Sequence, residues 1–236
     1  MVTTAHVLAM QGELETVLEA RGFAYALLMQ AFLVEPQREQ IENLAETGAV
    51  RLFPFGQDHP AIQQGTAAVG AFLADPANRS AEAVDRLVWD YTRLFVGPAR
   101  LPAPPYESAY RTVDRLVFQE VTLEVREAYR RYGLVAPKLG TEPDDHIGLE
   151  LSFLYETCRL AAGAAAAGDI DGVHTILQDQ QAFLDDHLMQ WVPRFAADVR
   201  QHAETAYYRG WADLLAGFAE TDRDLLEELL AEQPDR

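Results

Sequence analysis

Apolar positions along this chain return every third or fourth residue and almost never alternate. That is the spacing of one helix face, not of a half-buried strand. Residues about 7–33 carry Leu14, Val17, Leu18, Phe23, Leu27, Leu28 and Phe32 in this rhythm, with Pro36 beyond as a stop. A short helix over about 36–47 ends at Gly48, "LFPFGQDHP" is a loop, and about 60–74 is a further helix ending before "DPANRS". Ser80 can cap the next helix, whose stripe is Val84, Leu87, Val88, Tyr91, Leu94 and Phe95. The rhythm then breaks. "VGPARLPAPPYESAY", residues 96–110, holds four prolines, which remove backbone donors and keep the chain extended. A long ordered loop or a linker is expected there, and mobility over 97–109 would suit a binding role.

Periodicity resumes through Leu116, Val117, Val121, Leu123, Val125 and Tyr129 and ends at Gly133. "HIGLELSFLYETCRLAAGAAAAG" is apolar nearly all round and rich in small residues, which suits the middle of a bundle. "GDIDG" separates it from a helix over about 170–186. Pro193 is expected to start, kink or end a helix, and Thr221 with Asp224 fits a capping box opening the last one. No strand-like alternation and no internal repeat occur. The chain is therefore read as all-α: a single compact helical bundle of about nine or ten helices over residues 1–236, with a long proline-rich central loop. Residues 97–109 form the one seam, between an N-terminal half 1–96 and a C-terminal half 110–236.

Apolar residues make up 49% of the chain, enough for a buried core at 236 residues. The net charge of −18 disfavours nucleic acid and anionic lipid as partners and favours something basic. Cys158 is the lone cysteine, so no intrachain disulfide can form, which suits a reducing cytoplasm. Within "LYETCRLAA" it reads as a small buried group. Glu13 and Glu15 interrupt the N-terminal segment before a secretory signal could form, and no apolar run approaches the roughly 18 residues of a membrane span.

The stretch "LGTEPDDHIGLELSF", residues 139–153, concentrates the chemistry. Thr141 and Asp144 fit a capping box with Pro143 in the first turn, which places Glu142, Asp144 and Asp145 at the positive end of a helix dipole. His146 has no place in that account. Helical spacing sets it on one face with Glu150, Phe153 and Thr157, beside the proline loop. As an i, i+4 pair, His146 and Glu150 could ligate a metal, with His187 as a further imidazole. The alternative to a binding protein is thus a helical metalloprotein or enzyme built on His146, Glu150 and His187. The paired Glu-x-x-His and H-E-x-x-H motifs are absent, as are G-x-S-x-G, Walker A and G-x-G-x-x-G. The rings of "WDYTRLFVGP", Trp89, Tyr91 and Phe95, read first as core. Tyr106 sits in the loop, either as a cover over the core or as a recognition surface.

"YTRLFVGP", "APPYESAY", "EPDDH" and "FLDDHLMQWVPRF", in this order and at these spacings, resemble the TorD/DmsD/NarJ family of redox-enzyme maturation chaperones, most closely its TorD and DmsD branches. The likeness runs from about residue 85 to 218; residues 1–80 agree only in helical character. Tyr106 stands where some relatives carry tryptophan. The resemblance implies an all-helical cytoplasmic protein with no catalytic activity and no cofactor. It implies binding of the twin-arginine signal peptide of a molybdopterin-dependent oxidoreductase, and of that subunit's apo form, until the cofactor is inserted. The long central loop would permit exchange of halves between two chains, so a monomer or a domain-swapped dimer is expected. Carried onto this chain, the peptide-binding residues are Tyr91, Phe95, Gly97, Pro98, Pro104, Pro105, Tyr106, Ser108, Glu142, Asp145 and His146. Such a peptide asks for acids that accept bidentate arginine bonds and for an aromatic-lined apolar groove.

Overall fold

The computed structural model describes residues 4–56, 59–98, 100–112, 114–137 and 142–231. The helices are α1 (Thr4–Leu33), α2 (Arg38–Thr47), α3 (Pro60–Ala74), α4 (Ala81–Tyr91), α5 (Glu107–Arg111), α6 (Glu120–Arg131), α7 (Ile147–Ala166), α8 (Ile170–Phe183), α9 (Met189–His202) and α10 (Ala206–Ala231). Among the described residues there is no strand, and the bridge between Tyr106 and His146 is an isolated one, so the protein is all-α as its periodicity requires. Two π turns interrupt the regular helices. Thr92–Val96 extends α4, and Leu184–Leu188 joins α8 to α9 into one continuous rod. Such wide turns often mark functional regions.

The longest helix pairs are α1 lying along α7 and α3 lying along α10, with α9 also on α10 and α8 on α7. The core where they meet is aromatic. Trp191, Trp211, Tyr25, Tyr208, Phe32, Phe195 and Phe218 are fully buried. Where α1 crosses the start of α7, the backbones approach so closely that a Cβ on Gly148 would lie 2.8 Å from Leu33 Cα. α1 and α3 precede the proline loop, whereas α7 and α10 follow it. Neither side of the 97–109 seam can cover its apolar faces alone. Chains 1–96 and 110–236 made separately are therefore expected to lack a cooperative melt and to regain one when co-expressed. A cooperative transition of either piece by itself, followed by circular dichroism, would refute this.

Several local expectations change. The segment from Leu116 to Val117 is not helical; both side chains are exposed, and α6 begins only at Glu120. A five-residue helix, α5, occupies the end of the proline segment. Pro193 does not end a helix. It lies exposed inside α9, about one turn beyond the π turn Leu184–Leu188, within the continuous rod. Thr221 does not open a helix either. Its hydroxyl donates to the Gly217 carbonyl (2.9 Å) inside the unbroken α10.

Candidate functional site

Pro104 and Pro105 bring no N–H groups, so their segment runs extended against the turn that precedes α7. Tyr106 and His146 form an antiparallel bridge. The Ile147 N–H donates to the Pro105 carbonyl and the Glu107 N–H to the Asp145 carbonyl, both at 2.9 Å. The Tyr106 and His146 rings meet edge to face, centroids 5.3 Å apart. "APPYESAY" and "EPDDH" are thus clasped together. The proline loop is fastened where it carries Tyr106.

Beneath the clasp the acids point inward. Asp145 is fully buried: its Oδ2 accepts from the Ser108 N–H (2.7 Å), capping α5, and its Oδ1 from the Thr122 hydroxyl (2.8 Å). Asp144, also fully buried, takes both Arg126 Nη2 (2.6 Å) and Nε (3.0 Å) on Oδ2, while its carbonyl accepts from the Tyr129 hydroxyl. The helix expected to start at Thr141–Asp145 starts at Ile147 instead; Thr141 itself lies outside the described residues. Its N-cap is His146, whose Nδ1 accepts from the Gly148 N–H at 3.0 Å. A neutral imidazole nitrogen here does the work that Ser or Asp does at other helix starts, which accounts for a histidine at this position. Asp144 and Asp145 precede the helix and are held by specific partners, not by its dipole.

A third motif joins from the α8–α9 rod. The carboxylate of Glu107, fully buried, meets His187 Nδ1 at 2.9 Å and accepts from Arg111 Nη1 at 2.8 Å; the same Nη1 donates to the Asp186 carbonyl. His187 belongs to the π turn, and the wider backbone brings this side chain onto Glu107. From the sequence His187 is only a further imidazole for the metal alternative. Trp191 in turn donates its indole N–H to Glu150 Oε2 (3.2 Å). The three residues of the metal alternative therefore have separate employments. His146 caps a helix, Glu150 takes the indole and His187 takes Glu107. Among the described residues no group of three His, Cys, Asp or Glu side chains is arranged to hold a metal ion.

Burial, then the fields of Glu107 and Asp145, hold the Glu150 carboxyl well above its ordinary 4.5. The folded state then binds more protons than the unfolded one, and Glu150 lowers stability as pH rises above 4.5. Glu150→Gln preserves an acceptor for Trp191 and removes this penalty. Thermal melts should place the variant above the wild type near neutrality, with the gap closing by about pH 4. A gap independent of pH would refute the assignment.

The expected site residues divide into outer and inner sets. Tyr106, His146 and Gly97 are half-buried, and Glu142 and Pro98 are exposed. Phe95 is core, packed on Phe32, Tyr91, Phe195 and Tyr208. Pro104, Pro105, Ser108 and Asp145 are buried supports, and Tyr91 is buried with its hydroxyl donated to the Phe32 carbonyl. Burial, then Glu35, Tyr106 and Glu142, push the Tyr91 hydroxyl up to about 12. Burial, then Glu142 and Asp145, likewise raise that of Tyr106. Both phenols stay protonated in an acidic field. Glu35, which the sequence reading passed over, adds to the field at Tyr91 from just beyond the end of α1. Gly97 closes the first π turn at φ 108°, a backbone region that side chains resist, with its N–H on the Thr92 carbonyl (2.9 Å). Val96, exposed by 62%, stands beside it.

The model of the nitrate reductase delta subunit family matches residues 57–197, the span that contains the clasp and the π turns. The chain belongs to this family, the TorD/DmsD/NarJ group of redox-enzyme maturation chaperones. Chaperone protein TorD of Vibrio cholerae serotype O1 is 29% identical over 226 residues, covering 94% of this chain and 99% of the relative. Chaperone protein TorD of Vibrio vulnificus is 26% identical over 221 residues, covering 92% and 99%. A crystal structure from Archaeoglobus fulgidus, described as a redox enzyme maturation protein, aligns over 88% of this chain and 93% of its own at 21% identity and a TM-score of 0.44, too distant to bear on function. Members named in this way are chaperones, and this family member has a chaperone role in redox-enzyme maturation, not a catalytic one. None of the family's described helices here is long and apolar enough to cross a membrane.

Proposed function

We propose that this chaperone acts in the cytoplasm, binding the twin-arginine signal peptide of a molybdopterin-dependent oxidoreductase and holding the apo subunit until its cofactor is inserted. The observation that supports this best is the Tyr106–His146 clasp, two amphipathic rings meeting at the surface, with Tyr106 in the field of Glu142 and Asp145. Rings of this kind offer apolar contact and a polar tip together, which suits a leader whose basic head is followed by a modestly apolar stretch. The negative charge of the whole chain favours rapid encounter with such a leader.

The direct test is calorimetry with a synthetic twin-arginine leader. Tyr106→Ala and His146→Ala should each weaken binding about tenfold, as loss of a contact at the centre of an interface does. Wild-type affinity in both variants would remove the clasp from the interface. Asp145→Ala is the poorer probe, because that carboxylate holds the clasp together from inside.

A further inference from the structure

A cavity of about 850 Å³ opens where the loop after α2, the head of α9 and the outer face of α10 meet. Phe55, Met189 and Leu225 give it apolar walls. Glu220, Asp224 and Glu228 line it as well, and their four-residue spacing sets all three carboxylates on one face of α10. Glu220 is paired with His59 (3.3 Å) and Asp224 with Arg223 (2.9 Å), both with exposed carboxylates. Pairs of this kind are worth little and open readily. Glu228 has no ion-pair partner among the described residues. The groove therefore offers three exposed carboxylates on one helix face. Around Tyr106 and His146 the carboxylates of Asp144, Asp145 and Glu107 are buried and already bonded to Arg126, Ser108, Thr122, Arg111 and His187. They have no room for two incoming guanidinium groups.

We propose that this groove takes the arginine-bearing head of the leader, while the clasp meets its apolar part; this rests on the reading that the chain binds such a leader. Two features favour an arginine pair over any other basic group. A guanidinium forks onto a carboxylate with two parallel bonds, and a row of acids one helical turn apart offers neighbouring acceptors to consecutive arginines. The methylene stems of those arginines lie on apolar walls, here Phe55, Met189 and Leu225. The π turn Leu184–Leu188 has neighbours on both sides, the groove and the acids beneath the clasp. His187 within it reaches Glu107, Asp185 acts on Arg223 of the groove, and Met189 directly after it lines the groove.

Calorimetric titration of the full chain tests this with two synthetic peptides, the leader with its arginine pair and the same leader with that pair replaced by alanines. Glu220→Gln, Asp224→Asn and Glu228→Gln are combined in one variant; all three positions are exposed, and a thermal melt verifies that the variant folds. The variant should bind the arginine leader about tenfold more weakly than wild type, with a shallower salt dependence, and bind the alanine leader equally well. Glu228→Lys alone should weaken the arginine leader more than Glu228→Gln. Unchanged affinity for the arginine leader overturns the proposal, as does an equal loss for both peptides. Failure of the wild type to bind either leader would instead sink the proposed function.

Discussion

Arg21→Met will destabilise the fold by about 3–5 kcal/mol, the cost of removing one partner from a buried ion pair. Arg21 and Asp222 are both fully inaccessible, on α1 and α10. The guanidinium donates Nε to Asp222 Oδ1 (2.6 Å), Nη2 to Oδ2 (3.0 Å) and Nη1 to Gln180 Oε1 (2.7 Å). The Tyr25 hydroxyl adds a 2.5 Å bond to Asp222 Oδ2, and Gln180 passes its own amide on to the Thr157 hydroxyl (3.0 Å). Four helices thus meet at one fork of charge. Methionine fills most of the volume but leaves Asp222 with only the tyrosine, a charge in an apolar interior without its counter-ion. Urea denaturation measures the loss. Removing both charges, as Arg21→Met with Asp222→Leu, should recover much of it, because the remaining uncharged groups are far less costly to bury. If the single variant loses less than 1 kcal/mol, the pair is not closed in solution.

That pair also shows where reading the sequence stopped. The helices were legible because their faces repeat at short range: the stripe of α4, the Ser80 cap and the Gly48 stop all lie within a few residues of what they govern. Arg21 gave no such signal, because its partner is 201 positions away and nothing near "EARGFAY" says that the charge turns inward. For the same reason Thr221 resembles a helix start: nothing near it in the sequence shows that Asp222 turns inward, and only Arg21 makes it interior. The acids of "EPDDH" misled in the same direction. A local rule put them at a helix dipole, whereas Arg126, Thr122 and the α5 backbone, all far along the chain, draw them inside. What local rules did convey was which segments matter. The motif stretches meet, through Tyr106 on His146, Asp145 on Ser108 and Glu107 on His187. The π turns left no trace in the periodicity, since one extra residue per turn only blurs an apolar stripe.

The second large effect is expected at Asp145. Asp145→Ala leaves the Ser108 N–H and the Thr122 hydroxyl buried without acceptors, at about 1–3 kcal/mol each. α5 is only five residues long and cannot hold itself as a helix without its cap. Its release would free Glu107 and the bridge at Tyr106, so limited proteolysis should gain a cut within 101–112 that the wild type resists. Asp145→Asn keeps one acceptor and should fall midway. Leader affinity should drop in Asp145→Ala together with the melting temperature, whereas Tyr106→Ala should lower affinity with little change in melting. That contrast separates a residue that shapes the binding surface from one that touches the peptide. Lost affinity in Asp145→Ala with wild-type melting and no new cut would mean that the carboxylate turns outward to meet the leader itself.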